Sequence, residues 1–155
     1  MAARHLFEAS LTWSGAAQGP ARVYDQYSRE FSVEIAGKPA LTGSAAPPYL
    51  GDASLHNPED LLLIAVSSCH LLSYLALCVR AGVSVVSYRD RCTATMTVQD
   101  GRMRIVEATL RPEVVVAAGS DEAKAQALHE QANRLCFIAN SVNFPIVHQP
   151  TVRSE

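Results

Sequence analysis

Residues 57–82 read NPEDLLLIAVSSCHLLSYLALCVRAG, and both ends of this stretch carry helix signals. Asn57 is a favourable N-cap, because its side-chain oxygen can accept a hydrogen bond from an amide of the first turn. Pro58 suits the first helical position, where no backbone N–H is needed, and Gly82 suits the left-handed residue that follows a helix. The sequence therefore predicts one long helix across this stretch.

The interior of this predicted helix is almost wholly apolar. No charged side chain occurs between Leu61 and Val79, and a helix that is apolar on nearly every face belongs in the middle of a protein. Its length is close to the ~20 residues that cross a bilayer. Three serines and one histidine within it, and the absence of a basic flank before it, favour a core helix over a membrane span.

The composition is that of an ordinary globular chain. Its 155 residues are most simply one domain, residues 1–155, large enough for a core of its own. The net charge of −2 gives no reason to expect nucleic acid or an anionic membrane as a partner. The first ten residues lack the apolar run of a signal peptide, so we expect a cytoplasmic protein whose cysteines are reduced by default.

The sequence before the helix predicts β-structure. Alternating or β-branched residues predict three strands, at residues 5–13, 23–27 and 31–35. Glycines and prolines in residues 40–52 predict a loop that leads into the helix.

The sequence after the helix predicts a hairpin, a helix and a strand. Residues 88–98 and 102–116 alternate as two long strands, and Gln99-Asp100-Gly101 supplies the turn between them. A second helix is predicted at about residues 120–140, and residues 143–152 predict a short final strand. This order predicts the α+β class, with helices gathered on antiparallel sheets.

The chain has four cysteines, Cys69, Cys78, Cys92 and Cys136, and none forms a C-x-x-C motif. Cys78 lies on the opposite side of the predicted helix from Cys69, and Cys92 lies on the apolar face of a predicted strand, so both are expected to pack inertly. Cys69 and Cys136 have small or polar neighbours. From the residues alone they are either inert buried thiols or a reactive pair, because their spacing does not show whether they meet.

No metal or nucleotide site is predicted. His70 is next to Cys69, but neighbouring helical side chains point about 100° apart and chelate poorly, so we expect a packed, hydrogen-bonded histidine. The other histidines, His5, His56, His129 and His148, have no ligand spacing. The chain also lacks a glycine-rich phosphate loop, so no bound cofactor is expected.

Several stretches together resemble the OsmC/Ohr family, the osmotically inducible and organic hydroperoxide resistance proteins. They are Tyr27-Ser28-Arg29, LTGSAAPPYLGD at 41–52, NPEDLL at 57–62, SSCH at 67–70, residues 82–88 and CFIANSV at 136–142. SCH followed by CFIANS is closer to the OsmC-like branch than to the Ohr branch. The resemblance implies an OsmC-like fold, in which antiparallel sheets surround a long buried central helix, and an intertwined homodimer.

The resemblance also implies an activity. The chain would be a cysteine-based hydroperoxide reductase, a peroxiredoxin-like antioxidant enzyme of the stress response that reduces organic hydroperoxides to alcohols. Cys69 would be the peroxidatic thiol and Cys136 the resolving thiol of a redox-active disulfide. Arg29 would activate the thiolate, with Arg22 as the alternative, and Glu59 would be the carboxylate partner of the arginine. A lipoyl group, as dihydrolipoamide or on a lipoylated protein, would be the external dithiol reductant.

The position of Glu59 supports the implied homodimer. Glu59 precedes Cys69 by ten residues, which is about 15 Å along a straight helix. It therefore cannot reach the Cys69 of its own helix, whereas a second, antiparallel copy could bring its Glu59 close. The same copy would cover the second apolar face of the helix.

Two other functions fit the same residues. A non-enzymatic member of the fold could be a stress-linked small-molecule binding protein or a thiol-based redox sensor, since sulfenate and disulfide formation are the same chemistry in a sensor. An enzyme turns over with excess dithiol, whereas a sensor reacts about once. A purely structural protein would have a Cys69 that alkylating reagents reach only after unfolding.

Overall fold

Within residues 4–155, which the computed structural model describes, the chain has two α-helices and three three-stranded sheets. The elements belong to two compact units, Met1–Leu61 and Leu62–Glu155. The class is α+β, as predicted. The prediction that the whole chain is one domain stays a prediction.

The first unit holds a small antiparallel sheet, whose strands are β1 (Ser10–Thr12), β2 (Phe31–Glu34) and β3 (Leu41–Gly43), with β2 in the centre. The strand predicted at 31–35 is confirmed, and the one at 5–13 is much shorter than predicted. The strand predicted at 23–27 is wrong, because turns and bends occupy this segment and the backbone carbonyls of Tyr24 and Tyr27 accept hydrogen bonds from Arg29. The loop predicted at 40–52 contains β3.

Helix α1 spans Pro58–Arg80, and both predicted ends are confirmed. Asn57 Oδ1 accepts a hydrogen bond from the Asp60 amide at 2.9 Å, and Gly82 has a φ of +74°. An 18-residue window of α1 has a mean hydropathy of 2.1, so by length and composition alone it could cross a membrane. The core helix of a soluble protein passes the same test.

Only one face of α1 is buried in the single chain, and the predicted covering of its other face by a second copy stays a prediction. The buried face includes Val66, His70, Tyr74 and Cys78. The opposite face, here named the exposed stripe, consists of residues one turn apart that are apolar or small: Ile64, Ser68, Leu72, Ala76 and Val79. The exposed fractions of Ile64, Leu72 and Val79 are 59%, 67% and 78%.

The second unit contains two sheets built from strands that pass from one sheet to the other. The strands are β4 (Val85–Asp90), β5 (Thr93–Gln99), β6 (Arg102–Leu110), β7 (Pro112–Val116), β8 (Ile146–His148) and β9 (Thr151–Ser154). Their orders are β4-β7-β9 and β5-β6-β8. The sheets are mixed, because β8 and β9 run parallel to β6 and β7. The prediction of antiparallel sheets is therefore confirmed for the pairs β4–β7 and β5–β6 and wrong for the pairs that β8 and β9 make.

Each of the two predicted long strands is interrupted, at residues 91–92 and at Arg111. Asp90 stabilises this interruption through hydrogen bonds. Its Oδ1 accepts the Arg111 amide at 2.7 Å, and its Oδ2 accepts the Ser67 hydroxyl of α1 at 2.6 Å. The predicted hairpin turn is confirmed, since Gln99 pairs with Arg102. Positive φ values at Asp100 and Gly101 are those of a type I′ turn.

Helix α2 spans Glu122–Leu135, which is shorter than predicted at its C-terminal end. Asp121 is its N-cap, and Cys136 is its C-cap rather than a helical residue. A 3-10 turn follows at Ala139–Ser141. The core of this unit is formed by Tyr74, Leu77, Cys78, Val83, Val114, Val116, Ala125 and Ala132.

Candidate functional site

Two of the predicted site residues, Cys69 and Cys136, meet beside one short turn. Cys69 lies in the middle of α1, and Cys136 ends α2. The Ile138 amide donates a hydrogen bond to Cys69 Sγ at 3.5 Å, and the Ala139 amide donates one to Cys136 Sγ at 3.4 Å. We name residues 136–141 the cysteine turn. The two thiols are therefore neighbours, which their spacing in the sequence did not show.

The two thiols differ in exposure, and Cys136 is a weak acid. Cys69 is half-buried, whereas only 1% of Cys136 is exposed. Burial, and then the neighbouring Cys69 side chain, raise the pKa of Cys136 to about 11, against the opposing effects of the Ala139 and Ile138 amides. Cys136 is therefore protonated at neutral pH, and Cys69 is the thiol that a reagent from solvent reaches first.

The other two cysteines are placed where a thiolate is disfavoured. Cys78 is fully buried in the core beside Tyr74, and burial raises its pKa. Cys92 is half-buried at the break between β4 and β5, where burial and then the Asp90 carboxylate raise its pKa. The predicted packing role of Cys78 is confirmed. Cys92 lies between two strands rather than on the strand face predicted for it.

Arg29 is bound within its own segment. Its Nη1 donates a hydrogen bond to the Tyr27 carbonyl at 2.8 Å, and its Nη2 donates one to the Tyr24 carbonyl. The guanidinium carbon also lies 4.2 Å from the centre of the Tyr27 ring, a cation–π distance. Arg22, the alternative, is exposed.

Glu59 lies in the first turn of α1, and its Oε2 is buried. Among residues 4–155 this oxygen has no hydrogen-bond partner, and the salt bridges there do not include one between Glu59 and Arg29. A buried carboxylate oxygen without a partner is costly. The roles predicted for Arg29 and Glu59 stay predictions.

Three histidines form a cluster that the sequence did not reveal, and of these His70 and His129 are buried and His148 is half-buried. His70 Nε2 is 3.0 Å from His129 Nδ1, and the ring centres of His70 and His148 are 4.5 Å apart. The Tyr74 ring stacks on His129 at 3.8 Å. We name His70, His129 and His148 the histidine cluster. The predicted hydrogen-bonded packing of His70 is confirmed.

The histidine cluster is electrically neutral at neutral pH. Burial, followed by the charges of His148 and His129, lowers the pKa of His70 to about 3, and burial lowers the pKa of His129 to about 4. His70 Nδ1, His129 Nε2 and His148 Nε2 have no hydrogen-bond partner in the described part of the chain. Within that part, no group of three or more His, Cys, Asp or Glu side chains is arranged to hold a metal ion.

The fold and its paired cysteines define an α+β protein of the OsmC type. A sequence model of the family described as OsmC-like protein matches residues 51–150. The chain therefore belongs to the OsmC-like protein family, as the resemblance implied. No curated protein sequence matches it.

Solved structures share the fold over nearly the whole chain. An OsmC-like protein of unknown function from Vibrio cholerae is 28% identical with a TM-score of 0.87, covering 96% of this chain and 100% of that one. An organic hydroperoxide resistance protein from Elizabethkingia anophelis is 18% identical with a TM-score of 0.71, covering 100% of both chains. OhrB of Bacillus subtilis, also an organic hydroperoxide resistance protein, is 17% identical with a TM-score of 0.64, covering 96% and 100%.

Proposed function

We propose that this chain is a two-cysteine peroxidase that reduces organic hydroperoxides to alcohols. The observation that carries the proposal is the position of Cys69 and Cys136, whose sulfurs accept hydrogen bonds from consecutive amides of the cysteine turn. Membership of the OsmC-like family, with organic hydroperoxide resistance proteins among its structural relatives, supports the same chemistry.

The first half of the reaction belongs to Cys69, the more exposed of the two thiols. Its thiolate attacks one peroxide oxygen, the O–O bond breaks, and the alkoxide leaves and takes up a proton to become the alcohol. Cys69 is then a sulfenic acid. Phe137 comes directly before the Ile138 amide that donates to this sulfur and is 81% exposed, so it is our candidate for contact with the apolar part of a hydroperoxide.

The second half belongs to Cys136. Its thiol must lose a proton before its sulfur attacks the Cys69 sulfur, and hydroxide leaves as water while the disulfide forms. Because burial raises the pKa of Cys136 to about 11, this thiol is protonated at neutral pH in the reduced chain. A dithiol then exchanges with the disulfide and restores both thiols. We propose a lipoyl group in this role, with the reaction taking place in the cytoplasm.

The remaining predicted residues fit this proposal through a homodimer. The exposed stripe offers an apolar surface for a second α1. The buried Glu59 Oε2, which has no hydrogen-bond partner among residues 4–155, is an acceptor that a cation would satisfy. We assign Arg29 and Glu59 the activating roles that the family resemblance implies, with the second copy contributing to each site. Arg29 must leave its contacts with Tyr24 and Tyr27 if it is to bind a thiolate.

The test adds one equivalent of cumene hydroperoxide to reduced protein and follows intact mass with thiol mapping. We expect a loss of two hydrogens that maps to Cys69–Cys136. Cys136→Ser should stop at the Cys69 sulfenic acid, and Cys69→Ser should not react. Cys92→Ser is the matched control and should form the disulfide as the unsubstituted chain does. Oxidation confined to Cys78 or Cys92 would contradict the proposal.

Turnover separates an enzyme from a sensor or binding protein of the same fold. With excess dihydrolipoamide, the enzyme should consume many equivalents of hydroperoxide per chain. Consumption of a single equivalent, with the disulfide left in place, would favour the redox sensor. Absence of any reaction would favour the small-molecule binding protein.

A further inference from the structure

The amides of the cysteine turn form a paired donor site for sulfur. The Ile138 amide donates to Cys69 Sγ at 3.5 Å, and the next amide, that of Ala139, donates to Cys136 Sγ at 3.4 Å. Successive backbone amides that converge in one turn make a concave site that binds anions. Here the two occupants are the sulfur atoms that the proposed reaction makes anionic in turn.

We propose that the Ile138 amide is a catalytic hydrogen-bond donor that holds negative charge on the Cys69 sulfur, and that Asn140 and Ser141 position it. This inference deepens the proposed function and rests on it. The donor is a backbone amide, so the residue types in the sequence do not indicate it. It acts together with any arginine that approaches the same sulfur.

Three hydrogen bonds fix the turn that presents this amide. The Asn140 side-chain amide donates to the Arg134 carbonyl at 3.0 Å, which ties the turn to the last residues of α2. The Ser141 hydroxyl donates to the Phe137 carbonyl at 2.8 Å, and the Asn140 backbone amide donates to the Cys136 carbonyl at 3.0 Å. A donor fixed in this way stabilises charge without reorganising when the charge develops.

The inferred effect has two parts that oppose each other. A hydrogen bond to the charged form favours the thiolate, so more of Cys69 is reactive at neutral pH. A stabilised thiolate is also a weaker nucleophile, with a Brønsted coefficient of about 0.4–0.5. Removing the donor should therefore slow the reaction at low pH and speed it at high pH. The pH–rate profiles with and without the donor should cross, which a general loss of structure does not produce.

Ile138→Pro removes this one N–H. Residue 138 has φ −69° and ψ −41°, which a proline can adopt. Ile138→Val is the matched control, because it keeps the amide and the branched side chain. The measurement is the rate at which Cys69, identified by peptide mapping, reacts with 4,4′-dithiodipyridine as a function of pH in the full-length protein.

We expect the midpoint of the pH–rate profile to rise by about one pH unit in Ile138→Pro, because loss of a hydrogen bond to a charged group changes its ionisation equilibrium by about tenfold or more. The plateau at high pH should then rise about threefold and the rate at low pH fall about threefold. Asn140→Ala should shift the profile in the same direction by less. A folded Ile138→Pro chain with the profile of Ile138→Val would overturn the inference.

A measurement on the unsubstituted chain covers the case in which Ile138→Pro does not fold. The Ile138 amide proton should move downfield in NMR spectra with the same midpoint at which Cys69 becomes reactive. An Ile138 resonance that stays in place through that titration would overturn the inference. Neither experiment uses a peroxide, so failure of the proposed peroxidase reaction and failure of this inference give different results.

Discussion

Acidification should destabilise this chain through its histidine cluster. His70 has a pKa of about 3 in the folded chain, lowered from 6.5 chiefly by burial. A buried base with a lowered pKa favours the neutral form, so the unfolded chain binds more protons between these two values. The contribution of His70 to stability is therefore complete above about pH 6.5 and is lost progressively as the pH falls toward about 3.

The size of this loss follows from linkage. At about pH 5 an unfolded His70 is almost fully protonated, while the folded one is almost fully neutral, so the free energy of unfolding falls by about 2 kcal/mol relative to neutral pH. The limiting slope is about 1.4 kcal/mol per pH unit for each histidine. His129, with a pKa of about 4 in the folded chain, adds a loss of the same sign. Carboxylates contribute little above about pH 5, because they titrate lower.

Urea unfolding at a fixed protein concentration, between about pH 7.5 and about pH 5, measures this loss. His70→Gln cannot titrate, so its loss should be smaller than that of the unsubstituted chain by about 2 kcal/mol. His5 is exposed, and His5→Gln should retain the full loss. A free energy of unfolding that stays constant over this range, or an equal loss in His70→Gln, would refute the reasoning.

Three further predictions concern other parts of the chain. Leu72→Glu places a charge in the exposed stripe and should shift sedimentation toward the monomer. Val98→Glu, on the exposed hairpin, is the control and should sediment as the unsubstituted chain does. Equal sedimentation of the two variants would argue against the stripe as the dimer interface. Asp90→Asn weakens the bonds to two donors and should lower the free energy of unfolding in urea by roughly 2 kcal/mol. Gly101→Ala should lower it by about 1 kcal/mol, because residue 101 has a φ of +73°. Asp100→Asn is the control for both urea series. If Asp90→Asn or Gly101→Ala unfolds at the same urea concentration as this control, the prediction for that variant is wrong.

Features encoded by neighbouring residues were predictable from the sequence. The caps of α1 depend on Asn57 and Gly82, and the hairpin turn depends on Asp100 and Gly101, so each signal lies within a few residues of its effect. Family resemblance added the cysteine pair, Cys69 and Cys136, whose proximity no periodicity reveals.

Features that depend on distant contacts were not predictable. The sequence alternation of residues 102–116 continues through Arg111. The strand nevertheless changes sheets there, because the Arg111 amide donates a hydrogen bond to the Asp90 carboxylate. The histidine cluster joins His70 and His129 with His148, which come from α1, α2 and β8. The donor of Ile138 is a backbone group, and its direction depends on how α2 ends.

The parallel edge strands of the second unit have a consequence for the speed of folding. Ala108 of β6 pairs with Ile146 of β8, and Val114 of β7 pairs with Val152 of β9, so both sheets are completed by strands that follow α2 in the chain. Chains rich in such distant pairings fold on the order of milliseconds to seconds. Until then the edges of β6 and β7 are open to strands of other chains. Refolding yield should therefore fall as protein concentration rises.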